Sequence, residues 1–279
     1  MSASEKILIF ATPRGAAEHA AATLRDICAA KPAGSRVSVA LSGGSTPALL
    51  YECLASSFRD EIPWSRLDVF FSDERAVAPA HPESNYFLAW KTLLSRVPLE
   101  AGQIHRMPAD DKDLERAAQA YEDGIRGAVP AGASGVPAFD LIWLGVGEDG
   151  HTASLFPGTR ALEEEERLIV PSVSPAGIPG RLTFTLRLLG AARRLQFLVW
   201  GRKKAAVILR LLGGAQGAAA EGAPSHGAGE RAQPTPASLV RLSGGELEWL
   251  LDREAAAGIQ DPGLIAGAGD DRGRGRSGD

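Results

Sequence analysis

The run Phe139 to Val146, FDLIWLGV, is apolar except for Asp140. So short and so apolar a segment has no face to offer water, which is the condition of a strand buried on both sides inside a parallel sheet. The residues beyond it are equally restrictive. Gly145, Gly147 and Gly150 permit sharp turns and close approach of a ligand. Asp149 and His151 come just past the carboxyl end of the strand, the edge at which open α/β sheets bind their ligands. A titratable imidazole at that edge makes His151 the first candidate for catalysis.

Other runs repeat the arrangement. Ile7 to Phe10, Val37 to Leu41 and Leu67 to Phe71 read as strands, followed by helical patterns over Ala16 to Ala30, Pro47 to about Phe58, and about Tyr86 to Leu94. A short extended piece at Ile104 to Met107 precedes a helix from about Leu114 to Arg126. Beyond the opening run, Leu168 to Val170, Leu182 to Leu186, Leu195 to Trp200 and Leu247 to Leu251 read as strands, Lys203 to Leu212 as a helix and Asp252 to Ala257 as a last helical turn. Strands alternating with helices predict an α/β fold, a mainly parallel, Rossmann-like sheet flanked by helices on both faces. No repeat or linker divides residues 1–258, which are expected to form a single domain. Within it the Gly/Ala-rich stretch at about 213–234 reads as a mobile loop, and residues 259–279 read as a disordered tail.

Charge and cysteine content narrow the function. With 30 Lys and Arg against 34 Asp and Glu, and no basic run, neither a nucleic acid nor a membrane surface is the expected partner. An anionic ligand must instead be held by a few placed cations. The two cysteines, Cys28 and Cys53, fall in helical stretches and offer neither a disulfide framework nor a zinc cluster, so no metal is expected. The amino terminus lacks the apolar core of a signal peptide, and no apolar run approaches the ~20 residues of a membrane span, so a cytoplasmic location is expected.

Candidate binding residues stand at the ends of the predicted strands. Leu41 to Pro47, LSGGSTP, puts small residues between a strand and a helix, so that Ser42, Gly43, Gly44, Ser45 and Thr46 can turn backbone N–H groups toward a phosphate; Thr46 is a candidate cap and Pro47 suits a first turn. Asp73, Glu74 and Arg75 form a charged cluster after the third strand, and the Arg75 fork suits a phosphate or an oxyanion. Arg181 precedes a strand, while Lys203 and Lys204 open a helix, where the dipole disfavours a cation unless a ligand compensates. His19, His81, His105 and His226 lack a comparable surrounding motif and are expected to be structural. Ser154 has no Gly-x-Ser-x-Gly elbow and no evident base.

Taken in order, LSGGSTP at Leu41 to Pro47, FSDER at Phe71 to Arg75 with PESNY at Pro82 to Tyr86, GVGEDGHTASLFPG at Gly145 to Gly158, RLTFTL at Arg181 to Leu186 and KAAV at Lys204 to Val207 resemble the motifs of the glucosamine-6-phosphate isomerase/6-phosphogluconolactonase family. The residues Ser154 to Pro157 after the histidine, together with Arg75, resemble the lactonases rather than the deaminases. The resemblance implies a fold like those of ribose-5-phosphate isomerase A and glucosamine-6-phosphate deaminase. It further implies hydrolysis of a small-molecule sugar phosphate lactone, 6-phospho-D-glucono-1,5-lactone, in the oxidative pentose phosphate pathway, without cofactor or metal, by a monomer or weak homo-oligomer. His151 is then the general base on water, with Asp73 or Asp149 orienting it. Backbone N–H groups of Gly147 and Gly150 or the side chain of Arg75 would meet the oxyanion, and Ser42 to Thr46, Arg181 and Lys204 would hold the phosphate. Amino-sugar phosphate deamination and sugar-phosphate binding without turnover are the alternatives.

Overall fold

The computed structural model describes residues 3–213 and 234–259. The expected loop at 213–234 and the expected tail therefore lie, but for Gly213, Pro234 and Ile259, outside the described residues, as does His226. In chain order the elements are β1 (Ser4–Phe10), α1 (Pro13–Ala30), β2 (Val37–Leu41), α2 (Ser45–Ala55), β3 (Leu67–Phe71), β4 (Asp73–Arg75), α3 (Asn85–Thr92), α4 (Leu114–Ala128), β5 (Leu141–Leu144), β6 (Ile169–Val173), β7 (Gly180–Phe184), α5 (Leu186–Gly190), β8 (Arg194–Val199), α6 (Ala205–Leu212), α7 (Pro236–Leu239) and β9 (Glu246–Asp252). Among the described residues no helix is long and apolar enough to cross a membrane.

Six strands form one fully parallel sheet in the order β1-β9-β8-β5-β2-β3. Every residue of β2 and β5 is buried, as expected of interior parallel strands covered on both faces, and so is every residue of β3 although it stands at the sheet's edge. Small side chains let α1 lie close to this sheet. Ala16, Ala17, Ala20 and Ala21 are fully buried on its inner face, and Thr12 caps it by accepting from Gly15 N at 3.2 Å. Phe139, just ahead of β5, packs edge-on against Phe70 at 5.2 Å and against Phe184 at 5.4 Å, joining β3 of the main sheet to β7 of a second one.

That second sheet departs from the expected architecture. β4, β7 and β6 pair antiparallel in the order β4-β7-β6, apart from the main sheet. Apolar runs do not reveal the direction of a partner, but connection length does: only residues 174–179 separate β6 from β7, too few for the crossover a parallel pair needs. The strand expected to reach Leu186 stops at Phe184, because Thr185 caps α5 by accepting from Leu188 N at 3.4 Å. The expected extended piece at Ile104 to Met107 makes a single parallel bridge, Val69 with Ile104.

At the amino-terminal end of the main sheet charge serves packing. Asp140 accepts from Lys31 Nζ at 2.7 Å and from Ser38 N at 2.9 Å. Asp68 takes Arg36 Nε at 2.7 Å and lies 3.2 Å from His105 Nε2, whose ring stacks on Phe70. Burial raises the Asp68 carboxyl, but Arg36 and His105 outweigh it and leave the group below its usual value. Because the folded carboxyl ionises more readily than the unfolded one, its contribution to stability is complete above the unfolded value of about 3.9 and is lost as pH falls through the lower folded value. Thermal melts between pH 6 and 2.5 are expected to show a shallower acid loss of stability for Asp68→Asn than for the native chain; parallel curves would contradict this.

Candidate functional site

Adjacent strands of a parallel sheet end on the same edge, and here β8, β5, β2 and β3 are consecutive neighbours. Their exits bring together Lys204 after β8, Gly145 to His151 after β5, Ser42 to Thr46 after β2, and β4 after β3. A cavity of about 210 Å³ opens among them, lined by Ser42 to Thr46, Asp73, Arg75, Asn85, Gly147, His151, Ala153 and Lys204. A second, of about 490 Å³, shares Asp73, Arg75, Gly147, His151, Ala153 and Lys204 but reaches Asp149, Ser154 and Arg181 in place of the turn.

The turn is held open for a guest. Gly44 has φ of +94°, a conformation a side chain would strain, and helix α2 begins at Ser45 with no capping side chain. Thr46, the candidate cap, lies inside the first turn instead. Having Gly44 at the cap leaves the first N–H groups of α2 without a side-chain acceptor. The strand exit itself is clamped by the buried Tyr51 hydroxyl, which accepts from Ser42 N at 3.1 Å and donates to Ser42 O at 2.5 Å. Burial pushes this phenol above its usual range, so it stays protonated.

The charged cluster after β3 divides its labour. Glu74 is buried and accepts from Arg75 N at 2.7 Å, Asn85 N and Tyr86 N at 2.8 Å, and Ser84 Oγ at 2.9 Å, tying β4 to the start of α3. Burial pushes its carboxyl up despite these donors. Asn85, so placed, donates from Nδ2 to Asp73 O at 2.9 Å and to Asp73 Oδ1 at 3.1 Å, and Ser154 Oγ donates to Asp73 Oδ2 at 2.6 Å. Asp73 is thereby fixed with its carboxylate toward both cavities and makes no bond to the histidine.

Asp149 makes that bond. Its Oδ1 lies 2.6 Å from His151 Nδ1 and also accepts from His151 N at 3.1 Å. Burial acts to raise the Asp149 carboxyl, but the backbone N–H and the imidazole of His151 outweigh it and hold it below its usual value. The loop is closed by Gly147 N donating to His151 O at 2.8 Å and Gly150 N to Gly147 O at 3.0 Å, and Phe156 packs against the imidazole at 4.7 Å between ring centres. Two later elements pin the same loop. Ala237 N donates to Gly150 O at 3.0 Å with Thr235 packed where a Gly150 side chain would stand, and Arg210 of α6 donates to Glu148 O at 2.8 Å. Ala153 has φ of +46°, the one non-glycine residue with positive φ among the described residues, and it stands in the wall common to both cavities.

Most of the candidate residues are thus gathered. Lys204 lines both cavities and Lys203 neither; Arg181 lines the second and not the one at the turn; Gly150 lines neither and packs on Thr235. Arg181 is 7% exposed, stands opposite Arg75 in the β4–β7 register, and has no hydrogen-bond partner for Nε or Nη1 among the described residues. Burial, and then Arg75, lowers its guanidinium from the usual value. His19, His81 and His105 line neither cavity and lie in local packing: against Phe10, in the turn before Glu83, and on Phe70. Asn85, Ala153 and Ser154 are site residues that spacing did not single out. Only the PESNY and HTAS contexts marked them.

Comparisons with known proteins show the family and the fold. Residues 11–249 match the family model for glucosamine-6-phosphate isomerases/6-phosphogluconolactonase. The 6-phosphogluconolactonase of Synechocystis sp. is 41% identical over 222 residues, covering 80% of this chain and 84% of the relative. The solved structure of 6-phosphogluconolactonase from Trypanosoma brucei superposes with a TM-score of 0.76 at 26% identity, covering 93% of this chain and 100% of that one. A monomeric glucosamine-6-phosphate deaminase shares the fold, with a TM-score of 0.68 at 22% identity over 92% of this chain and 99% of that one.

A Cβ on Gly147 would overlap the His151 ring and crowd the Asp149 carboxylate. Gly147→Ala is therefore expected to break the Asp149 contact while the far-ultraviolet circular dichroism is kept. The ¹⁵N shifts of the His151 ring should move away from a fixed Nδ1–H form toward averaged values, and native-like shifts would refute this packing.

Proposed function

Since the chain belongs to the glucosamine-6-phosphate isomerase/6-phosphogluconolactonase family, we propose that its cleft hydrolyses 6-phospho-D-glucono-1,5-lactone to 6-phospho-D-gluconate, with His151 as general base on water. The reaction is a step of the oxidative pentose phosphate pathway. The observation that carries this reading is the His151–Asp149 contact of 2.6 Å beside an uncapped helix start. In the neutral imidazole, donation of Nδ1–H to Asp149 makes Nε2 the acceptor, the atom that would take a proton from water. The phosphate is held by N–H groups of the Ser42 to Thr46 turn with Lys204, which favours an anion on grounds of both the helix dipole and direct charge.

A lactone is an activated ester, so no covalent enzyme intermediate is needed. Water adds to C1 as His151 takes its proton. The tetrahedral intermediate then collapses, the bond from C1 to the ring oxygen breaks, and the imidazolium returns the proton to that oxygen, which becomes a hydroxyl. The new carboxylic acid loses its proton to solvent. Asp73, fixed by Asn85 and Ser154, is free to accept from a sugar hydroxyl and to set the ring against His151.

His151→Ala is expected to lower kcat about 10²- to 10⁴-fold with KM little changed. A lactonase assay at slightly acidic pH, with spontaneous hydrolysis subtracted, checks this, and near-native turnover in the folded variant would overturn the assignment. Release of ammonia from glucosamine 6-phosphate at a comparable rate would replace lactone hydrolysis with deamination.

A further inference from the structure

Arg181 stands out at the ligand edge as a cation that the protein does not answer. It is buried, makes neither a hydrogen bond nor an ion pair among the described residues, and faces Arg75 across the β4–β7 pair. None of the carboxylates around it bonds to it: Asp73 accepts from Ser154 and Asn85, and Glu74 accepts from four donors of the β4–α3 connection. A guanidinium withdrawn from water and set opposite a like charge is unfavourable until an anion arrives.

The place of Arg181 indicates which anion. Its cavity excludes the Ser42 to Thr46 turn, where the phosphate binds in the proposed reaction, but shares His151, where C1 reacts. On the footing of that reaction, we propose that Arg181, with Arg75, receives the carboxylate created by ring opening and the oxyanion that precedes it. The lactone is neutral at this end, so the contact strengthens only as charge develops, which raises kcat and not ground-state affinity. It also makes the product, with two anionic ends, a tighter ligand than a sugar phosphate that has one.

The test compares two stable ligands by calorimetry, 6-phosphogluconate and glucitol 6-phosphate, the latter carrying a hydroxymethyl group in place of the carboxylate. In Arg181→Gln, binding of 6-phosphogluconate is expected to weaken about 10- to 100-fold while glucitol 6-phosphate changes less than about twofold. In the same variant lactone kcat falls with KM unchanged. Arg181→Lys keeps the charge but loses the fork, is expected to show a smaller loss of the same selectivity, and carries the comparison if the Gln variant fails to fold by circular dichroism. Equal weakening of both ligands would put Arg181 on the phosphate and overturn the proposal, as would no change in either. Ligand binding is read without turnover, so absence of lactonase activity in the native protein would count against the functional reading and leave the Arg181 comparison decisive on its own.

Discussion

Parallel pairing of β2 with β5 on one side and β3 on the other is the interaction on which the site depends. Parallel strands share one direction, so pairing them sets their carboxyl ends side by side whatever their separation in sequence. Residues near 42, 73 and 151 become neighbours through backbone hydrogen bonds before any side chain meets another. The apolar content of these strands is therefore a functional requirement as well as a packing one. A register slip in β2 would carry the Ser42 to Thr46 turn away from the histidine.

The same dependence decides how much was legible in the chain. Strands buried on both faces declare themselves as short apolar runs, and glycines with a histidine at their ends mark the carboxyl edge, so β2, β3, β5 and the places of His151 and the GGST turn could be read from residues alone. Contacts that depend on a side chain's rotamer could not. Asp73 and Asp149 were equivalent on paper, and their fates were decided by Ser154 and Asn85, which engage one of them, and by a tight loop that folds the other back onto the imidazole. The second sheet was hidden for a related reason. Its strands have the same apolar character as those of the main sheet, and only the short connection between β6 and β7 betrays their antiparallel pairing.

The two ends of the main sheet use charge differently. At the amino-terminal end the buried carboxylates have cations or donors close by, Asp140 with Lys31 and Ser38, Asp68 with Arg36 and His105, and such groups fasten the strands. At the carboxyl end two cations have no ion pair among the described residues. Arg181 faces Arg75, and Lys204 stands where a helix begins. In the proposed reaction the substrate would supply the missing partner, at a local expense of stability.

One anchorage bears on how such a protein can change over time. The loop holding His151 is gripped at Glu148 by Arg210 and at Gly150 by Ala237, the first on the near side of residues 214–233 and the second on the far side. Both grips are made by residues that lie outside that interval and line neither cavity. A substitution in α6 or beside Ala237 can therefore reach His151 through the backbone of its loop, so drift at positions remote from the cleft is not neutral to the imidazole's placement.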